Sequence, residues 1–211
     1  MTVAEQYNTI ISGNVIKALQ KRNMAGYYAP TKEDAVKIIK NLLADGSSIS
    51  WGGSMTMAEL GLVDELKKGN YTLLDRSECK NSEETKQMYH KALSADNYIL
   101  SANAITQDGI LINIDGTGNR VAALIYGPEQ VIVVVGINKI VADVESGYKR
   151  IKSITCPKNA LRLKKELPCS VSGVCNNCLS EKCICNQIVV TRRSGIKERI
   201  KVVIVGENLG Y

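Results

Sequence analysis

A single histidine stands in this chain of 211 residues, and no uninterrupted apolar run approaches the length of a membrane span. Crossing a bilayer as a helix takes about 20 consecutive apolar residues, so a spanning segment is excluded. The opening stretch MTVAEQYNTIISGNV also lacks the basic segment and long apolar run of a secretory leader. A cytoplasmic protein without membrane association is therefore expected. The histidine, His90, falls in QMYHKAL on an amphipathic helical pattern and reads as a surface residue, which argues against Ser-His or Cys-His hydrolase chemistry. No HExxH occurs, no Walker-type lysine follows a glycine loop, and GGSMT lacks the last glycine of a nucleophile elbow. Internal repeats and low-complexity segments are missing too.

What is present suits a packed globular protein. The hydrophobic content is 45%, and the length suits one domain spanning residues 1–211. A net charge of +6 arises from scattered Lys and Arg whose short runs are not interleaved with aromatics. Such a pattern reads as solvated surface, not a nucleic-acid face, and its modest field favours an anionic small-molecule ligand.

Periodicity predicts an alternation of helices and strands. An N-terminal helix covers residues 1–25, with Val3, Tyr7, Ile10, Ile11, Val15 and Leu19 at near-helical spacing. Strand patterns follow at 26–29, 47–51, 71–75, 97–102, 109–115 and 130–136. Helical patterns lie between them, including one from Met55 to Leu66 and one opened by Asn81 and Glu84 as a capping box. The run QVIVVVG is apolar at every position, the mark of a strand covered on both faces. The predicted fold class is therefore α/β, with a mainly parallel sheet flanked by helices. A cysteine-rich excursion at 156–186, opened by the short basic-faced helix CPKNALRLKKEL, leads to an edge strand in QIVVTRR, and RIKVVIVGENLGY ends the chain as a second strand-like stretch.

Two glycine loops stand at predicted strand ends. In Trp51-Gly52-Gly53-Ser54-Met55-Thr56, glycines allow close approach of backbone amides to an anion, and Thr56 with Glu59 also has the spacing of a capping box. In Asp115-Gly116-Thr117-Gly118-Asn119-Arg120, the third glycine of a dinucleotide fingerprint is missing. That leaves an acid, an amide and a guanidinium at a strand's carboxyl end, where open α/β folds gather ligands. Both loops are expected at the same edge of one parallel sheet, converging on one anion-binding cleft in which Arg120 and Lys139 pair with the ligand.

Six of seven cysteines (Cys156, Cys169, Cys175, Cys178, Cys183 and Cys185) fall in one short segment, while Cys79 stands alone. In a chain expected to stay in a reducing compartment, this clustering favours metal binding or redox chemistry over structural disulfides. Cys175 and Cys178 are spaced to share a metal from one turn, and two further cysteines from flanking turns complete four ligands. Cys183 and Cys185, two residues apart, point to opposite faces of an extended segment, so at most one joins the same centre. The spacing does not separate zinc from an iron–sulfur cluster.

Taken together, GGSMT at 52–56, SANAIT-x-DG at 101–109, NIDGTGNR at 113–120, VVGINK at 134–139, the cysteine pattern at 168–186 and the terminal RIKVVIVGENLGY resemble the LUD (lactate utilisation) domain family, short stand-alone form. The resemblance covers the chain from about residue 46 onward. It implies a fold similar to the ribose-5-phosphate isomerase, glucosamine-phosphate deaminase and CoA-transferase superfamily. It also implies a small-ligand-binding component that supports oxidation of L-lactate to pyruvate with iron–sulfur oxidoreductase subunits as partners. Carried over position by position, the ligand-binding residues are Gly52, Gly53, Ser54, Thr56, Asn103, Asp108, Gly118, Asn119 and Arg120. The catalytic candidates are Glu59, Asp115 and Lys139, and the metal ligands are Cys169, Cys175, Cys178 and Cys185, holding zinc or an iron–sulfur cluster. Cys156 and Cys183 depart from the family pattern: Cys183 replaces Cys185 as a ligand, or the two form a redox pair, or Cys185 ligates as in the relatives. The competing readings are a free-standing phosphosugar or acyl-CoA enzyme using Glu59, Asp115 or Lys139 as acid, base or nucleophile, and a metabolite-binding module. Whether the domain is itself catalytic, and whether it forms a homo-oligomer, the family pattern leaves open.

Overall fold

The computed structural model describes residues 1–211. In chain order its first half runs α1 (Val3–Lys21), β1 (Ala25–Ala29), α2 (Lys32–Asn41), β2 (Ser48–Trp51), α3 (Met55–Glu59), α4 (Leu62–Lys67), β3 (Thr72–Leu74), α5 (Ser82–Ala92) and β4 (Asn97–Leu100). The second half runs β5 (Ala104–Thr106), β6 (Leu111–Asp115), α6 (Asn119–Ile125), β7 (Gln130–Gly136), β8 (Ile140–Val141), α7 (Val144–Arg150), α8 (Cys156–Arg162), α9 (Pro168–Ser172), β9 (Gln187–Thr191) and β10 (Ile200–Val205). Helix starts follow their capping residues. The Thr31 hydroxyl accepts from the Asp34 amide at 3.2 Å, and the Asn81 side chain accepts from the Glu84 amide at 2.8 Å.

Six strands form an all-parallel sheet in the order β1-β10-β7-β4-β2-β3. The all-apolar run behaves as its composition requires: Val131, Val133 and Val135 face one hydrophobic cluster, while Ile132 and Val134 face another on the opposite side. The first cluster contains Val15 and Leu19 of α1, and the second Ala35 and Ile39 of α2 with Leu62 and Leu66 of α4. The fold class read from the sequence is thus the fold found. No helix is long and apolar enough to cross a membrane.

Three expectations are corrected. A second, four-stranded sheet, ordered β8-β5-β6-β9, stands beside the parallel one, and its β5/β6 and β6/β9 pairings are antiparallel. The three-residue strand β5 was too short for a period-2 pattern to reveal. Met55 to Leu66 is not one helix, because Gly61 at φ 61° lies in the left-handed region and separates α3 from α4. Helix α1 is present, but Val3, Tyr7 and Ile10 are exposed, and its buried residues are Ser12, Val15 and Leu19.

One further departure positions the site. Between α7 and α8 the helical path widens into a π turn over Ile151–Thr155, ahead of Pro157. A proline inside a helix cannot donate a backbone hydrogen bond and crowds the preceding turn, so a local widening accommodates it. Thr155, Cys156 and Asn159, at and just beyond this turn, line the cleft described next.

Candidate functional site

Strands β2, β4 and β7 are parallel neighbours, so the segments following them emerge at the same end of the sheet. There Gly53–Thr56, Ser101–Asn103 and Lys139 meet Asp115–Thr117 and Asn119 of the β6–α6 loop around a cleft of about 450 Å³. The two glycine loops therefore do converge. The second, however, arrives from the smaller sheet and not from the edge of the parallel one. Helix α8, Glu181–Cys185 and the terminal Gly210 and Tyr211 complete the wall.

Lys139 forms the most unusual feature of this wall. Its side chain reaches back under α3, only 3% of the residue is exposed, and Nζ donates to Thr56 Oγ1 at 2.8 Å and to Ser101 Oγ at 2.9 Å. The two hydroxyls are joined in turn, Thr56 donating to Ser101 at 3.3 Å and Ser101 to the Ala102 carbonyl at 3.2 Å. Neither partner carries charge. Burial pushes the Lys139 ammonium down to about 7, Arg150 and Arg120 press in the same direction, and Glu59 opposes them. An amine in this state can exchange a proton near neutrality, the property a base or nucleophile needs. The hydroxyl of Thr56 points to Lys139 and does not cap a helix. Ser54 is the residue preceding α3, and its own side chain makes no capping bond. The expected capping box of Thr56 and Glu59 is therefore absent.

Arg120 and Asp115 form the second feature. Arg120 Nε donates to Asp115 Oδ2 at 3.1 Å, Nη1 to the Ser101 carbonyl at 3.1 Å, and Nη2 to Asn103 Oδ1 at 3.2 Å and the Ile114 carbonyl at 2.6 Å. Four of the five guanidinium hydrogens are thereby committed inside the protein. The other oxygen of Asp115 accepts from the amides of Thr117 and Gly118, at 3.2 and 3.0 Å. Arg120 lines the cleft as expected, but it turns most of its planar fork inward, tying the β4–β5 segment to the β6–α6 loop. Asp115, held by an arginine and two amides, is equally committed.

The other sequence-derived residues divide. Gly53, Ser54, Asn103 and Asn119 line the cleft; Gly52 lies beneath Arg120, and Gly118 contributes an amide to Asp115. Glu59 does not face the cleft. It is exposed, and its Oε2 accepts from the Gly210 amide at 2.8 Å, fastening the C-terminal segment over Lys139. Asp108 lies elsewhere, in the β5–β6 hairpin, where it pairs with Arg22 at the end of α1 and its side chain is 59% exposed. It is removed from the ligand set.

Several lining residues went unread. Arg76 sits against Gly53 and commits one nitrogen to the Tyr89 hydroxyl at 3.1 Å. Arg162, Lys165 and Lys182 approach from the far wall, so cationic side chains outnumber the acidic Asp115 and Glu181. Ser101 was within reach, since it opens the SANAIT stretch. Arg76 and Arg162 carry no local signal, because nothing within a few residues marks them as converging. Helices α3 and α6 have five and seven residues, so the positive charge around the cleft comes from these side chains more than from helix N-termini.

The cysteine segment forms the outer rim. Cys156 and Cys185 touch, with their sulfurs 3.3 Å apart, and this contact with burial drives the Cys185 thiol strongly upward. In the Cys175–Cys178 turn, the Asn177 amide donates to Cys175 Sγ at 3.4 Å while Asn177 adopts φ 51°. Soft thiols without competing imidazoles suit zinc or an iron–sulfur cluster, although no three or more of them are gathered into a metal-holding group.

The chain is similar to several known proteins. The LUD domain model matches residues 13–205. A DUF162 family protein from Deinococcus radiodurans superposes with a TM-score of 0.52 at 15% identity, covering 94% of this chain and 98% of that one. The tetrameric eIF2B-beta2-delta2 complex from C. thermophilum gives a TM-score of 0.42 at 16% identity over 82% of this chain and 55% of that chain. Ribose 5-phosphate isomerase A from Methanocaldococcus jannaschii gives 0.34 at 17% identity over 63% of this chain and 66% of that one. No curated protein matches. With the family model spanning nearly the whole chain, this protein belongs to the LUD domain family.

Proposed function

We propose that this chain is a lactate-utilisation protein, a component that binds a small carboxylate and supports oxidation of L-lactate to pyruvate with an iron–sulfur oxidoreductase as partner. The observation carrying this reading is the cleft of about 450 Å³ at the strand ends, with Arg76, Arg162, Lys165 and Lys182 at its walls and the buried Lys139 amine among them. Its size falls within the range of ligand pockets, and its charge suits an acid carrying one or two negative groups. Family membership supports the link to lactate.

Cys169, Cys175, Cys178 and Cys185 are the residues that would hold a metal centre on the rim, and they would have to draw together to do so, since no three of them are gathered as they stand. Zinc there would act as a structural staple, whereas an iron–sulfur cluster would supply electron transfer. The chain's own contribution is to bind and orient the acid and to exclude water from Lys139.

Titration calorimetry with L-lactate, pyruvate and inorganic phosphate tests the reading. Binding of the two carboxylates, weakened about ten-fold in Arg162→Ala, a loss of about 1.4 kcal/mol, is the expected result. Failure of every anion to bind overturns it. Anaerobic purification followed by metal analysis and an absorption spectrum tests the centre. Retention of zinc or iron, lost in Cys178→Ser with a fall in melting temperature, is expected.

A further inference from the structure

We infer that Lys139 is a covalent carbonyl-binding residue, whose amine condenses with the keto carbon of a 2-oxo acid in the cleft to form a reversible imine. The inference deepens the proposed function and rests on it for the identity of the acid.

Geometry carries the argument. Lys139 is in the cleft wall and forms no ion pair: Asp115 is bound by Arg120, and Glu59 accepts from the Gly210 amide. Its nitrogen meets only the hydroxyls of Thr56 and Ser101. A neutral amine has two hydrogens to donate, which these hydroxyls take, and one lone pair that is left without a protein partner. An ammonium would instead hold a third hydrogen unsatisfied in a buried site beside two guanidinium groups, Arg120 and Arg150. Arg150 is itself fastened, donating to the carbonyls of Asn138 and Asn103 at 3.1 and 2.8 Å and to Thr155 Oγ1 at 3.1 Å, so it cannot retreat.

The surroundings also guard this amine. At Gly210, a Cβ would lie 2.7 Å from Thr56 Oγ1 and 3.3 Å from Lys139 Nζ, so glycine is what allows the C-terminal segment to close over the amine. A simple structural lysine needs neither a glycine cover nor a cleft. Salt-bridge duty, the ordinary role of a lysine in a protein, is missing here.

The step balances without an external oxidant or reductant. The Nζ lone pair attacks the keto carbon while the carbonyl π pair moves to oxygen, which takes the first of the two amine hydrogens, relayed as a proton through the Thr56–Ser101 hydroxyl pair. Loss of the second amine hydrogen with that oxygen, as water, leaves a C=N bond to Lys139. Arg76 and Arg162 are the groups placed to hold the acid's carboxylate.

Reductive trapping decides the matter. The full-length protein is incubated with pyruvate and sodium cyanoborohydride, then analysed by intact mass and peptide mapping. One reduced pyruvate adduct per chain, mapping to Lys139, is expected. The trapping rate should fall about ten-fold per pH unit below the Lys139 midpoint near 7, as the neutral fraction falls. Lys139→Arg should lose the adduct while keeping a circular dichroism spectrum like that of the parent. Labelling spread over surface lysines with Lys139 unmodified overturns the inference, and needs no variant to be seen. Pyruvate binding by calorimetry without an adduct at Lys139 sinks the imine and spares the proposed function. An adduct at Lys139 whose formation L-lactate does not slow upholds the imine and removes lactate as the ligand.

Discussion

Arg120 crosses Gly52 so closely that a Cβ on residue 52 would stand 2.9 Å from Arg120 Cδ and 3.1 Å from its Cγ. The first glycine loop is thus shaped to let a side chain of the second loop pass. With its guanidinium held at four points, that side chain has no room to move aside. Gly52→Ala should cost about 1–3 kcal/mol through overpacking, measured by urea unfolding. A variant as stable as the parent would mean that Arg120 can swing clear.

Arg120→Ala removes the partner of Asp115, whose side chain is 9% exposed, and leaves that carboxylate without its counter-charge. A loss of about 3 kcal/mol is expected, because stripping one member of a buried pair exposes the full desolvation cost of the other. The double variant Arg120→Ala, Asp115→Asn should recover part of this loss. Equal losses in single and double variants would deny the coupling.

Stability should depend on pH through Lys139. Its folded-state midpoint near 7 lies below the ordinary 10.5, so between these values the unfolded chain binds a proton that the folded chain does not. Stability attributable to this residue therefore rises with pH across that window, by about 1.4 kcal/mol per unit, and is flat below it. Compared with Lys139→Met, the parent should gain stability steadily from pH 7 toward 10. Parallel pH profiles for the two proteins would refute a buried neutral amine.

Asp108 provides the contrast. It pairs with Arg22 in an exposed position away from the cleft, and Asp108→Asn should lower stability by no more than about 1 kcal/mol. Anion affinity should not change. A ten-fold weakening of pyruvate binding in this variant would return the hairpin to the site.

How much of this was legible follows from the range of the forces involved. Thr31 and Asn81 announce their helices because a capping side chain acts on an amide three residues away. The β7 strand announces itself because burial on both faces demands an apolar residue at every position. The glycine loops and the grouping of six cysteines are equally local, and so were visible without coordinates. Strand order was not. The last strand, β10, inserts between β1 and β7, and in the second sheet β8 joins β5 while β9 joins β6, through pairings of residues far apart in the chain.

The chemistry of the site divides along the same line. Sequence by itself determined the α/β alternation, the two glycine loops and the presence of Asp115, Arg120 and Lys139 near strand ends. Only tertiary structure decided which of these charges pair with each other and which stays alone. Arg120 satisfies Asp115 five residues away and spends most of its guanidinium inside the protein, whereas Lys139 finds two hydroxyls, 83 and 38 residues distant, and no carboxylate partner. Burial raises the cost of an unpaired charge, and burial is a property of the folded surroundings, not of neighbouring letters.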